Sequence, residues 1–388
     1  MQLKQGIHLA YCTNIHRGET WAQTFDTLKQ YALGVRDQVS SGKPYAIGLR
    51  LGDQTSRELS DPQTLLEFRR WLDRENCYVF TINGFPYGRF HGGRVKEHVY
   101  EPDWTTVERV EYTKRLFDLL VEIAPPEVGG SVSTVPCSFK PFIKNESQIA
   151  SMRRNLWLAV EHIAALCEKT GRDLHLGLEP EPLCFLETSD ETVDFINSLR
   201  EEHPNDPRLP QRLGVNYDAC HLAVEYESPQ DAIGNFLRNN IRISKLHFSS
   251  ALKVRPTLEA RAALRHFVEP VYFHQVIARK ADGSIERFID LDIALDATSE
   301  PPLPAEEWRV HFHVPLHCQP GAPFETTSDH IQGVLDILAA QPSLCSHIEM
   351  ETYTWEVLPG DLKKRNVVHQ LVAEYRWTLA QVASRGLV

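Results

Sequence analysis

The sequence predicts an α/β protein built as an eight-stranded (β/α)8 barrel of the TIM type. Three observations lead there. Short, apolar, β-prone runs alternate with segments of helical period along most of the chain. The phosphate loops of the competing open sheet are missing: no G-x-G-x-x-G follows the first strand, and there is no Walker loop. In the second half of the chain, strand after strand ends in a carboxylate or an imidazole, as expected where strand ends meet at one mouth.

Ile7–Cys12 reads as the first strand, followed by a polar loop with Asn14, His16 and Gly18. A helix starts near Thr20, with Trp21, Phe25, Leu28, Ala32 and Val35 on one face. Tyr45–Leu51 is the second strand; Asp61-Pro62 opens the next helix, Asp as N-cap and Pro at the first position. Tyr78–Asn83 is the third strand, and Asp103–Ala124 a helix stopped by Pro125-Pro126. Ser131–Pro136 precedes a long helix, Ser147–Thr170, capped by Gly171. Leu174–Glu179 is the fifth strand, and Thr188 with Glu191 has capping-box spacing. Leu213–Asp218 is the sixth strand, Ser228-Pro229 opens a helix, and Ile243–Ser249 is the seventh strand. From 252 to 307 the alternation breaks into an inserted helix, Leu258–Phe267, and a hairpin around Asp282-Gly283. Arg309–Leu316 is extended, Ser328–Ala340 helical, His347–Tyr353 the last strand and Asp361–Val382 the closing helix. The reading is one barrel domain over residues 1–388, with the insertion inside it before the last strand.

The net charge of −11, with no basic tract, argues against a nucleic-acid partner. No apolar run approaches ~18 residues, so no membrane span is expected, and the N-terminus lacks a signal-peptide core. Eight scattered cysteines, none in C-x-x-C, read as free thiols of a cytoplasmic protein. Nothing in the sequence sets an oligomeric state.

The strand ends carry the chemistry. They read Gly-Leu-Glu179-Pro-Glu181, then Asp218 with His221 beyond, then His247, then His311-Phe-His313, then His347-Ile-Glu349-Met-Glu351. Residues two apart on a strand share a face, so His311 pairs with His313 and Glu349 with Glu351. Singly, a strand histidine is ordinarily a packed core residue and a terminal glutamate a solvated rim charge. Jointly they suit one to three divalent ions, with Zn²⁺, Mn²⁺, Co²⁺ or Fe²⁺ favoured over Ca²⁺ by the imidazoles. Cys184 and Cys220 lie near these ends and read as small buried apolar residues. Arg89, His91, Arg94 and Lys96, around Gly92-Gly93, suit an anion in the substrate. Asn14 and His16 sit at the same mouth, and Tyr353, Trp355 and Phe85 offer an apolar wall.

The ordered set Glu179, Asp218-x-x-His221, His247, His311-x-His313, Glu351 resembles the xylose-isomerase-like barrel superfamily. Its members include sugar isomerases and epimerases, inosose dehydratases and DNA-repair enzymes of the endonuclease IV type. The resemblance implies Glu179, Asp218, His247 and Glu351 as core metal ligands and His221 as a further one. His311 and His313 fall where multi-metal members carry an acid-x-acid or acid-x-His pair. More narrowly, H-L-A-Y-C-T-N-I-H-R-G-E-T-W, N-G-F-P-Y-G-R-F-H, G-L-E-P-E-P and E-T-Y-T-W-E-V-L-P are similar to the EboE "metabolite traffic" family. That likeness implies secondary metabolism and partners from one bacterial gene cluster.

Two departures matter. Xylose isomerase carries a lysine two residues after its first ligand; here that position is Glu181, which argues for proton transfer over a hydride shift. Endonuclease IV-type enzymes carry extra histidines after strands two and three; here strand two ends Arg50-Leu51-Gly52, and His91 is the nearest stand-in. The expectation is a metal-dependent isomerase or epimerase acting on a sugar-like or polyhydroxylated small molecule, with Glu181 or His91 moving protons. The alternatives are a metal-dependent hydrolase of a phosphoester-like bond and a non-catalytic metabolite-binding component.

Overall fold

Eight parallel strands wind into a nearly closed barrel: β1 (His8–Tyr11), β2 (Tyr45–Arg50), β3 (Cys77–Asn83), β4 (Gly130–Thr134), β5 (Leu174–Leu178), β6 (Leu213–Asp218), β7 (Arg242–Phe248) and, last in the chain, His347–Met350. The computed structural model describes residues 1–297, 305–354 and 366–388. Between β7 and the last strand lie β8 (Leu252–Val254), β9 (Val276–Lys280), β10 (Ile285–Phe288), β11 (Ala305–Val310) and β12 (Phe324–Thr326), so His347–Met350 is β13. The barrel order is β1-β13-β7-β6-β5-β4-β3-β2. Its seam is closed by a single bridge, Cys12 with Gly48. A Cβ on Gly48 would lie 2.0 Å from Glu349 Oε1 and 2.7 Å from the Tyr11 carbonyl. Only glycine leaves room there for a carboxylate inside the barrel.

The strands are buried almost throughout, as a parallel sheet wrapped in helices requires. The helix starts follow the expected chemistry. Thr20 and Gln23 form a reciprocal capping box, and the Asp61, Asn145, Thr188 and Ser228 side chains accept backbone N–H bonds at their helix starts. Gly171 ends the long helix with φ 70°. The helix expected from Asp103 starts at Val107 instead, because the Asp103 carboxylate accepts from Thr105 N at 2.9 Å and holds a turn. The closing helix runs Val367–Ala383; the expected start at 361 lies outside the described residues.

The break in alternation is a second sheet, antiparallel, ordered β10-β9-β11-β8-β12. It reaches Thr326, past the 307 boundary read from sequence, because β11 and β12 both pair with β8. The hairpin turns at Gly283, φ 83°. Arg287 on β10 ties this sheet to the barrel, donating to Glu187 at 2.7 Å and to Glu225 at 2.6 Å. The expected extended run Arg309–Leu316 therefore belongs partly to this second sheet, and His311 follows the end of β11. All eight cysteines are unpaired. Among the described residues no helix is long and apolar enough to cross a membrane.

Candidate metal centre

Four barrel strands deliver one donor each to a single point. Glu179 follows β5, its N–H held by the Thr134 carbonyl. Asp218 ends β6 and caps the helix Ala219–Val224. His247 lies on β7, and Glu351 is one residue past β13, its N–H held by the Phe248 carbonyl. All four side chains are buried. His247 Nδ1 lies 3.0 Å from Glu179, 3.2 Å from Glu351 and 3.4 Å from Asp218.

Three carboxylates desolvated around one ring nitrogen leave charge uncompensated. Glu179 Oε2 and Asp218 Oδ2 are buried with no hydrogen-bond partner. Leaving a buried carboxylate oxygen unmatched is costly. The donor atoms lie within 4.8 Å of one another, so a divalent cation fits and supplies the missing charge. Burial opposes the ionised form of Asp218, yet His221 and His247 overcome it and hold the carboxyl well below the usual range.

Further residues fix these donors. His247 Nε2 faces Glu349 Oε2 at 3.1 Å, and Glu349 is ion-paired with buried Lys245, which donates to Ser133 at 3.0 Å. A carboxylate behind a ligating imidazole sets its tautomer and its aim. Asp218 Oδ1 accepts from Ser249 Oγ at 2.6 Å and from His221 N at 2.9 Å. Asn14 and Asn83 donate to Glu351 Oε1 at 2.7 and 3.2 Å.

A second group adjoins the first. His313 Nε2 lies 3.2 Å from His311 Nε2 and 3.4 Å from His221 Nε2. Each of these rings spends its other nitrogen on an oxygen acceptor. His221 Nδ1 faces the Pro180 carbonyl at 2.9 Å, His313 Nδ1 the Glu351 carbonyl at 3.2 Å, and His311 Nδ1 the Gln275 Oε1 at 2.7 Å. The Gln275 orientation is itself fixed, since its nitrogen faces the Glu181 carboxylate and the Pro182 carbonyl. A carbonyl only accepts, so on a neutral ring the proton sits at Nδ1 and Nε2 is left for an ion. Burial opposes the charged form of His221, but Asp218 and the neighbouring glutamates raise its pKa, so this cluster holds a cation, proton or metal, among its carboxylates. Asp218, His221 and His313 form one ligand-capable trio, and Cys220, His311 and His313 another. Burial pushes the Cys220 thiol well up.

Glu181 stands in the cleft wall above both groups. Its Oε1 accepts from Tyr100 Oη at 2.7 Å and from Gln275 at 3.4 Å, and burial pushes it up to about 7. The cleft is floored by Glu179, Glu351, His221 and His311.

The other expected site residues divide. Asn14, Lys96 and Tyr353 line the cleft, Lys96 paired with Asp290 and Tyr353 packed on His313 at 4.6 Å. His91 is buried behind the wall, with one nitrogen on the Asn14 carbonyl and the other on Tyr272 Oη at 2.6 Å. With both nitrogens so engaged, its expected proton-shuttling role is not supported. His16 is a packing residue, stacked on Tyr31 at 4.6 Å and bonded to Tyr11 Oη. Arg89 and Arg94 are exposed, and Arg94 pairs with Glu97. The loop is pinned to the Val271 carbonyl by Val95 N and Lys96 N, and of its cations Lys96 is the one that reaches the cleft. Trp355 lies outside the described residues.

Not foreseen from the sequence were Tyr100, Tyr272 and Phe273, which line the cleft, and Gln275, which holds His311 and Glu181 from the inserted segment. Also not foreseen was the buttress of Glu349 and Lys245; a lysine inside the buried run Ile-Ser-Lys-Leu-His was the available signal.

No protein-family model matches the chain, and no curated protein matches it. Among solved structures it is similar to a D-tagatose 3-epimerase-like protein, 12% identical over 97% of this chain and 99% of that one, TM-score 0.51. It is also similar to a xylose isomerase-like TIM barrel protein from Mycobacterium smegmatis in complex with magnesium, 13% identical over 98% and 97%, TM-score 0.50. A third is the IolI protein with a bound zinc atom, 11% identical over 97% and 98%, TM-score 0.49. At these identities the likeness is one of fold, that of an eight-stranded (β/α)8 TIM barrel.

Proposed function

We propose that this chain is a metal-dependent enzyme of the isomerase or epimerase type, acting on a small hydroxylated carbonyl compound. The observation that carries the reading is the placement of Glu181. It is a carboxylate in the cleft wall, held by Tyr100 and Gln275, next to both donor groups but outside the four-residue cluster. A divalent ion on Glu179, Asp218, His247 and Glu351 would supply Lewis-acid polarisation of a substrate oxygen. Glu181 would take the proton from the hydroxyl-bearing carbon and return it to the former carbonyl carbon, the hydroxyl proton passing to the former carbonyl oxygen, with Tyr100 aiming Glu181 Oε1. Lys245 and Glu349 keep His247 in its ligating orientation, and Asn14 and Asn83 do the same for Glu351. The reading agrees with the similarity in fold to a D-tagatose 3-epimerase-like protein and a xylose isomerase-like protein. His247 in this set and the three imidazoles of the adjoining group favour Zn²⁺, Mn²⁺, Co²⁺ or Fe²⁺ over Ca²⁺. A cytoplasmic place in secondary metabolism, with partners from one gene cluster, is part of the proposal and rests on the EboE likeness.

One observation favours a second reading. The three converging Nε2 atoms, with Asp218 shared, suit a second ion, and two-ion centres suit water activation at a phosphoester-like bond. Deuterium separates the two. The metal-loaded enzyme incubated with hydroxy-aldehydes and hydroxy-ketones in D₂O is expected to wash deuterium into the carbon beside the carbonyl. Glu181→Gln is expected to stop that exchange while metal content stays the same. Phosphodiester cleavage with no exchange would replace the first reading with the second.

A further inference from the structure

The floor of the cleft is polar, but its walls are not. Phe90, Tyr272 and Tyr353 form one contacting set of rings, with centroids 5.3, 5.3 and 5.4 Å apart. Phe90, Val95 and Tyr272 make a hydrophobic cluster of their own at the mouth, separate from the barrel core. A second set joins Phe85 to Tyr100 at 6.0 Å, Tyr100 to Phe139 at 4.7 Å and Phe139 to Phe273 at 6.0 Å. Both sets reach the cleft lining.

Most polar groups of these walls are spent on protein partners; the buried Asn14 Oδ1 is one acceptor left over, low in the cleft beside Glu351. Tyr100 Oη bonds Glu181, Tyr272 Oη bonds His91, Lys96 pairs with Asp290, and the Asn14 and Asn83 amides serve Glu351. A polyol bound here would keep most of its hydroxyls against ring faces and lose hydrogen bonds to water without replacement. An apolar or aromatic body loses none and gains ring contact.

We infer that the substrate is amphipathic: a chelating pair of oxygens at one end enters the metal floor, and a flat apolar or aromatic body fills the ring-lined cleft above it. The inference rests on the metal-centre reading and narrows the sugar-like expectation, placing the hydroxylated carbonyl of the proposed reaction on a hydrophobic framework. One wall comes from the loop after β3, which supplies Phe85 and Phe90, and another from the inserted segment, which supplies Tyr272 and Phe273.

Hydroxamates test this, because they present one metal-binding head on different bodies. Acetohydroxamate and benzohydroxamate are titrated into protein loaded with Zn²⁺ or Mn²⁺, with metal content measured on the same sample. Benzohydroxamate is expected to bind roughly 30-fold tighter or more, from burial of the ring. Phe90→Ala and Phe273→Ala are each expected to cut that preference by about 5-fold or more while acetohydroxamate affinity and metal content hold. The ligand pair on the unaltered protein decides the matter even if a variant fails to fold. Equal affinity for the two, with metal bound, overturns the inference and leaves the metal centre standing. Metal uptake that fails altogether, with neither hydroxamate bound, overturns both.

Discussion

Two trios of buried histidines occupy opposite ends of the same barrel, and they do different work. At the N-terminal ends of the strands, His8, His175 and His347 pack on one another and on Phe80. His347 spends Nδ1 on Ser131 Oγ at 2.8 Å and Nε2 on the Val128 carbonyl at 3.3 Å, and His8 bonds Tyr78 Oη at 2.8 Å. Burial pushes His8 down to about 4 and His347 to about 3. At the other end, His221, His311 and His313 are equally buried, but His313 Nε2 faces the Nε2 atoms of both others, and each ring has a carboxylate near it: Asp218 for His221, Glu351 for His313 and Glu181 for His311. Residue type and burial are shared. The difference is where the second nitrogen points and whether a carboxylate waits there.

The largest expected effect comes from Asp218, the one carboxylate common to both donor groups at the mouth. Asp218→Ala should release metal from both and lower turnover about 1,000-fold or more, read by elemental analysis and a rate assay. His311→Ala should cost less: the four-residue group keeps its ion, and affinity at the second group falls about 10- to 100-fold, read by metal titration.

The bottom trio should respond in stability alone. An imidazole whose folded pKa is depressed binds fewer protons than the unfolded chain as pH falls below about 6.5, so stability drops across that window toward about 3. His347→Asn should flatten that acid loss by a few kcal/mol without changing metal content, read by denaturant melts between pH 7 and 4. A change in bound metal in this variant would break the contrast between the two ends.

The smallest effect belongs to a buried acid with no metal role. Glu374 Oε2 lacks a partner, and burial pushes the carboxyl up to about 7. The folded state therefore favours the protonated acid, and stability is lost as pH rises from the ordinary carboxylate range through 7. Glu374→Gln should raise the melting temperature at pH 8, by about 1–2 kcal/mol of stability, and change little at pH 4.

The barrel was legible because its signals are local. Strand runs, N-caps such as Asp61-Pro62 and the Gly171 stop each act within a few residues. Glu179, Asp218, His247 and Glu351 were legible because a parallel barrel carries all its strand ends to one place. What failed was what depends on loops and on the second sheet. His16 and His91 sit near the mouth in sequence, yet hydrogen bonds to Tyr11 and Tyr272 turn them into the wall. Gln275 holds His311 from an insertion whose approach to the barrel has no periodic signature. The antiparallel sheet also ran on to Thr326, because β12 pairs with β8 across a long stretch of chain that no local pattern links.

The central claim is that the mouth of this barrel is a metal centre with two donor groups sharing Asp218. The direct measurement is elemental analysis of protein purified without chelator and then equilibrated with Zn²⁺ or Mn²⁺. Two ions per chain are expected, both lost in Asp218→Ala, with the second held about 10- to 100-fold more weakly in His311→Ala. A wild-type chain that carries no ion and takes up neither metal would contradict the claim.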